Sequence, residues 1–205
     1  MTIANSAPTL TILENGDRLN RIEFERRYTA SKVKKAELIK GLVYVESSVR
    51  FSTHAKPHAQ IVAWLGTYQA VSSDLKVGIN PTVRLDDENE PQPDAVLFRL
   101  GGNAQIDSDA YIAGFPELIV EIAASTISYD LQAKKRSYER NGVKEYIVWR
   151  TLDQQIDWFV LENGQYKNLA PDTAGIIHSI EFEGLRLNVS AILNGDMSAV
   201  LKTLQ

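Results

Sequence analysis

Apolar and polar positions alternate in short runs along this chain, and two longer stretches carry a helical period instead. Residues 42–49 are rich in β-branched and aromatic side chains and read as a strand after a basic approach over 32–40. Residues 77–79 and 82–85 read as strands or as one strand bent at Pro81, and residues 94–98 as the next. Between them, Lys56 and Pro57 open a helix in which Ile61, Val62, Leu65, Tyr68 and Val71 recur at helical spacing, so one face is expected to pack on a sheet. Residues 116–122 form a short, almost wholly apolar strand, and 129–140 a helix that Gly142 ends. Residues 145–150 and 155–160 then pair as a hairpin across a turn at Asp153, and shorter strands follow near 166–169, 175–179 and 185–188 before a helix over 191–201. Residues 101–114 read as a polar connection able to shape the rim of a site. Strands interrupted by two strong helices predict an α/β fold, a mixed sheet with helices packed on it.

At 205 residues, 44% hydrophobic and 23% charged, the chain suits one core. Residues 1–20 lack a stable period and read as a flexible leading segment, with residues 21–205 as a single domain. The net charge of −4 argues against a protein held on nucleic acid by bulk electrostatics alone. Without cysteine there are no disulfides, thiolate metal sites or cysteine nucleophiles. No apolar run is long enough to span a membrane, and the first residues lack the basic start and apolar core of a signal peptide, so the cytoplasm is the expected location.

One residue breaks the apolar pattern at a cost. Glu121 lies in the 116–122 strand, where a carboxylate needs a partner. Asp94 opens another strand, and if the two strands are neighbours both carboxylates face one cleft. A divalent cation relieves their repulsion, and oxygen donors suit Mg²⁺ or Mn²⁺ better than Zn²⁺. The backbone carbonyl of Ile122 can supply a further ligand. In the helix that follows, Asp130, Lys134 and Tyr138 fall at four-residue steps and share a face. Lys134 aimed at the carboxylates can orient or help deprotonate a water and offset charge on a phosphate.

Structural readings accompany each of these: Asp94 and Glu121 also suit structural hydrogen bonding or a degenerate site, and Lys134 a solvated helix position. Asp130 also suits a helix start or an i,i+4 ion pair with Lys134, Tyr138 suits half-buried packing, and Ser125 and Thr126 suit capping hydroxyls. Glu37 is either a third acidic group or a surface residue. His54 and His58 stand four apart, as in a zinc pair, but lack the glutamate of HExxH; His58 is either a cleft residue or part of the helix start. The acidic run 86–90 lacks the spacing of a calcium loop and reads as a solvated turn or mobile loop. Neither GxGxxG nor GxxxxGK[ST] occurs.

Taken together, Pro-Gln-Pro-Asp94, the 121–126 run Glu-Ile-Ala-Ala-Ser-Thr, the spacing from Asp130 through Lys134 to Tyr138, and the 142–146 run Gly-Val-Lys-Glu-Tyr resemble the Uma2 family of restriction-endonuclease-like proteins. That family, also called DUF820, is common in cyanobacteria and belongs to the PD-(D/E)XK nuclease superfamily. The resemblance spans about 37–158 and implies a restriction-endonuclease-like core with Asp94 and Glu121 as metal carboxylates. It also implies Lys134 as the site lysine, moved from the strand, where this chain has Ala123, onto the following helix. The family often has Ser-Pro at 123–124 and aspartate at the position of Lys40. The leading function is Mg²⁺- or Mn²⁺-dependent hydrolysis of DNA, and exposed strand edges or helices suit a homodimer. The alternative is a non-catalytic nucleic-acid-binding or regulatory protein that keeps the fold.

Overall fold

The computed structural model describes residues 12–46 and 48–204. Helix α1 (Arg21–Ala30) leads into a hairpin of β1 (Ala36–Ile39) and β2 (Leu42–Val45), and a π-helical turn (Phe51–Ala55) runs into α2 (Lys56–Gln69). Strands β3 (Leu75–Ile79), β4 (Val83–Arg84), β5 (Ala95–Arg99), β6 (Ala104–Ile106), β7 (Ile112–Gly114) and β8 (Leu118–Ala123) follow. Next comes a helix in three pieces: α3 (Ile127–Tyr129), a second π-helical turn (Asp130–Lys134) and α4 (Lys135–Asn141). The chain closes with β9 (Glu145–Arg150), β10 (Gln155–Glu162), β11 (Gln165–Asn168), β12 (Ile176–His178), β13 (Arg186–Asn188), α5 (Val189–Leu193) and α6 (Met197–Lys202).

The main sheet has six strands in the order β11-β10-β9-β8-β5-β3. Only β8 and β9 are parallel, as the helical crossover between them requires; the other pairs are antiparallel. Every residue of β8 is buried, which is why its sequence reads as a continuous apolar run. Leu118, Val120 and Ile122 enter one core with Ile61, Trp64 and Leu65 of α2, while Ile119 and Ala123 enter the opposite core with Tyr138, Val143 and Tyr146. A third, smaller core of Leu13, Phe24, Ala36, Leu38 and Val43 lies between α1 and the β1–β2 hairpin. This is the mixed α/β architecture expected from the strand and helix periods.

Several local expectations change. Residues 12–20, read as part of a flexible segment, are tied to β2 and its turn: the Gly16 amide donates to the Val43 carbonyl, the Leu19 amide to the Gly41 carbonyl and the Val43 amide to the Asp17 carbonyl. Residues 1–11 lie outside the described residues. Val71 is 86% exposed because α2 has already ended, and Trp64 takes the buried position instead. The 101–114 connection folds into β6 and β7, which join β4 in a three-stranded sheet. The acidic run 86–90 is a tight turn, with Asn89 and Glu90 buried and Asp86 accepting from Asn89, Arg140 and Asn141. Thr126 stands at the N-cap of α3 without a capping side-chain bond.

Lys40 and Gly41 form the two-residue turn of the β1–β2 hairpin with φ of 53° and 71°. Two positive φ angles favour Asn or Asp followed by Gly, so the lysine carries backbone strain in an exposed turn rather than charge into a cleft. Lys40→Asn is expected to stabilise the protein by about 0.5–1 kcal/mol, read as a higher midpoint in thermal melts; an unchanged or lower midpoint contradicts this account of the turn.

Candidate metal centre

The antiparallel register of β5 and β8 pairs Ala95 with Val120, so one step further it sets Asp94 opposite Glu121. Both residues are 4% exposed. Asp94 is held from three sides. Its Oδ2 accepts from the Ile122 amide at 2.7 Å, its Oδ1 lies 3.2 Å from His54 Nε2, and its carbonyl is 2.6 Å from His58 Nε2. Burial pushes the Asp94 carboxyl up, but His54, the Ile122 amide and Lys35 together hold it below its ordinary range.

Glu121 faces the helical crossover. Its Oε1 accepts from Lys134 Nζ at 2.9 Å and from the Tyr138 hydroxyl at 2.8 Å. Lys134 Nζ also lies 2.9 Å from Glu37 Oε1 and 3.9 Å from Asp130 Oδ1. Glu37, on β1, is fixed in turn by the Gln92 amide, which donates to its Oε1 at 2.7 Å. The Lys134 ammonium is therefore buried among three carboxylates, with the Tyr129 ring centre 5.3 Å away.

The charge balance of this cluster is lopsided. Burial alone would push Lys134 down, but Glu121 and Glu37 raise it well above its usual value, so it remains an ammonium at neutral pH. Burial pushes Glu121 well up, with Asp130, Glu37 and Asp94 adding to the rise against the pull of Lys134. Burial likewise raises Asp130 to about 6. Glu37, Glu121 and Asp130 outnumber the ammonium in their midst, with Asp94 opposite Glu121 beyond them, so the cluster favours added positive charge, whether protons or a cation. Both hydrogen bonds to Glu121 fall on Oε1, which leaves Oε2 for a ligand. A carboxylate oxygen without a hydrogen bond, in an acidic surplus, is donor chemistry of the kind a hard divalent ion takes.

Two π-helical turns deliver these groups. Phe51–Ala55 presents His54, and Asp130–Lys134 presents Asp130 and Lys134. The second turn spends the Asp130 carbonyl on the Lys135 amide and also on the Tyr146 hydroxyl at 3.1 Å, so the widened turn is anchored to β9. Such turns are rare and concentrate at functional sites.

The structure joins Glu121, Lys134, Glu37, Asp130 and Tyr138 in one network of contacts, sets Asp94 opposite Glu121 with its own partners Ile122 and His54, and places His58 against the Asp94 backbone. Ile122 meets Asp94 through its amide. His54 is the residue that sequence reasoning set aside: together His54, His58 and Asp94 offer ligand atoms all within 4.8 Å of one another and can hold a metal ion. Its i,i+4 spacing to His58 was the available signal. The cleft beside this trio has a volume of ≈ 890 Å³ and is walled by the β1–β2 hairpin and α2.

A mixed sheet flanked by helices, with a buried acidic pair at adjoining strand ends, defines a restriction-endonuclease-like α/β protein. The profile of Uma2, described as "Putative restriction endonuclease", matches residues 22–190. The chain belongs to the Uma2 family. Among solved structures it is similar in fold to a putative nuclease belonging to DUF820 from Anabaena variabilis ATCC 29413. The TM-score is 0.60 at 11% identity, over 83% of this chain and 91% of that one. No curated protein matches the chain. Among the described residues no helix is long and apolar enough to cross a membrane.

Removing Lys134 leaves Glu37 and Glu121 buried without their shared counter-charge. Lys134→Met is expected to cost about 3–5 kcal/mol of stability in chemical denaturation, and adding Glu121→Gln to recover part of it. A single variant as stable as the parent contradicts the ion-pair geometry.

Proposed function

We propose that this protein is a Mg²⁺- or Mn²⁺-dependent endonuclease that hydrolyses DNA phosphodiester bonds. The observation that carries this reading is the register of β5 and β8, which sets buried Asp94 opposite Glu121, with the Lys134 ammonium on the same carboxylate. Asp94, Glu121 and the Ile122 carbonyl are the residues that would hold the ion. When bound, the ion supplies charge neutralisation at the phosphate and a more acidic water.

The chain's own groups account for the rest. The Ile122 amide and His54 fix the Asp94 carboxylate in one orientation, so little reorganisation accompanies binding. Lys134 has three donors; Glu121 and Glu37 lie at 2.9 Å and Asp130 only at 3.9 Å, so the donor toward Asp130 is the one a water or a phosphate oxygen would take. Because its carboxylate neighbours keep it protonated, Lys134 acts as a donor and a positive charge and not as the base. Water attack forms the new P–O bond as the P–O3′ bond breaks; the attacking water would give up its proton to bulk solvent and the departing O3′ would take one from a water, while Lys134 offsets the charge that builds on the phosphoryl oxygens. The cytoplasm as location and a homodimer as the active form belong to the same proposal.

A supercoiled plasmid assay with Mg²⁺ and Mn²⁺ tests it. The parent protein is expected to nick or linearise DNA only with metal, and Asp94→Asn to lower the rate by at least about 100-fold. Full metal-dependent cleavage by Asp94→Asn would sink the assignment. Metal-independent DNA binding without turnover would favour a non-catalytic protein on the same fold.

A further inference from the structure

The hydrolytic scheme uses His54 only to orient Asp94 and does not use His58, and the two imidazoles together have chemistry of their own. His54 and His58 lie on the π-helical turn and on α2, with ring centres 5.8 Å apart and planes at 87°. Both Nε2 atoms point at oxygens of one residue, His54 at Asp94 Oδ1 (3.2 Å) and His58 at the Asp94 carbonyl (2.6 Å). His54 Nδ1 is buried with no hydrogen-bond partner, so the ring has more polar capacity than the protein uses. The ≈ 890 Å³ cleft, lined by both imidazoles together with Lys35, Glu46 and Asn80, gives an ion a route in and leaves room for water ligands.

We propose that His54, His58 and Asp94 form a second cation site, one that takes a divalent transition metal of the Mn²⁺-to-Zn²⁺ series and discriminates against Mg²⁺. Two imidazoles and one carboxylate form a nitrogen-rich donor set, which favours Co²⁺, Ni²⁺ and Zn²⁺, whereas Mg²⁺ prefers oxygen and keeps its waters. Two imidazoles that line a cleft, beside one carboxylate, leave room for exchangeable ligands, as a reactive site does and a closed structural one does not. Asp94 is the hinge between the two sites. Its Oδ2 is fixed on the Ile122 amide beside Glu121, and its Oδ1 faces His54. The competing account is that the histidines only buttress Asp94 by hydrogen bonds, and the two accounts differ in what they predict for metal binding.

Co²⁺ is the probe, because imidazole ligation gives it a visible ligand-field spectrum that can be read without any turnover. Titrated into the full chain, Co²⁺ is expected to give a saturable band that Zn²⁺ displaces and a large excess of Mg²⁺ does not. His54→Ala and His58→Ala should each weaken Co²⁺ by more than the roughly 10- to 100-fold that losing an outer partner costs. His178→Ala, at an exposed histidine paired with Asp172, should leave it unchanged. Glu121→Gln should retain the band, so loss of the oxygen site or of DNA cleavage is read separately from loss of this one. Unchanged Co²⁺ affinity in both folded histidine variants, or displacement by equimolar Mg²⁺, overturns the proposal. If a variant fails to fold by circular dichroism, the Zn²⁺ and Mg²⁺ competition on the parent protein decides alone.

Discussion

The Lys134 ammonium, buried between Glu121 and Glu37, is the contact on which the arrangement of the site depends. It joins three elements that are far apart in sequence: the N-terminal hairpin through Glu37, the central strand through Glu121 and the crossover helix through Lys134 itself. A buried ammonium costs several kcal/mol to desolvate, so it stays only while both carboxylates are in place. Each of those carboxylates is held independently, Glu37 by the Gln92 amide and Glu121 by the Tyr138 hydroxyl. The geometry is therefore set before any ligand arrives. It is also left short of positive charge, which is the electrostatic condition a divalent ion satisfies.

The crossover helix shows how fold and site share one constraint. Gly142 ends α4 at φ 86°, with Val143 bonding back to the Tyr138 carbonyl and Gly142 to that of Glu139. That closure turns the chain directly into β9, parallel to β8, so the helix must lie over Glu121. The π-helical turn at Asp130–Lys134 then keeps Asp130, Lys134 and Tyr138 all facing inward, at 3% exposure or less.

Much of this was legible in the sequence because burial leaves a strong mark on composition. The continuous apolar run of β8 made Glu121 conspicuous, and the four-residue steps from Asp130 to Tyr138 predicted a shared face that the structure bears out. The spacing put Lys134 on the carboxylate side or on a solvated face, and its ion pair with Glu121 settles which. Other features had no local signature. Glu37 reaches the site only because the β1–β2 hairpin folds across Gln92, a long-range event. His54 sits on a π-helical turn, which no hydrophobic period reveals, so its approach to Asp94 was hidden. The 101–114 segment looked polar because two of its short strands are half-exposed, and pairing with β4 rather than composition makes it a sheet.

The excess of buried carboxylate around Lys134 is what, on the proposed function, makes a site for an oxygen-preferring cation. Melting temperature with and without millimolar Mg²⁺, for the parent protein and for Glu121→Gln, tests it most directly, because a ligand of the native state raises stability in proportion to ln(1 + [L]/Kd). The account predicts that Mg²⁺ raises the melting temperature of the parent and leaves that of Glu121→Gln in place. Equal shifts in both proteins, or no shift in either, would contradict it.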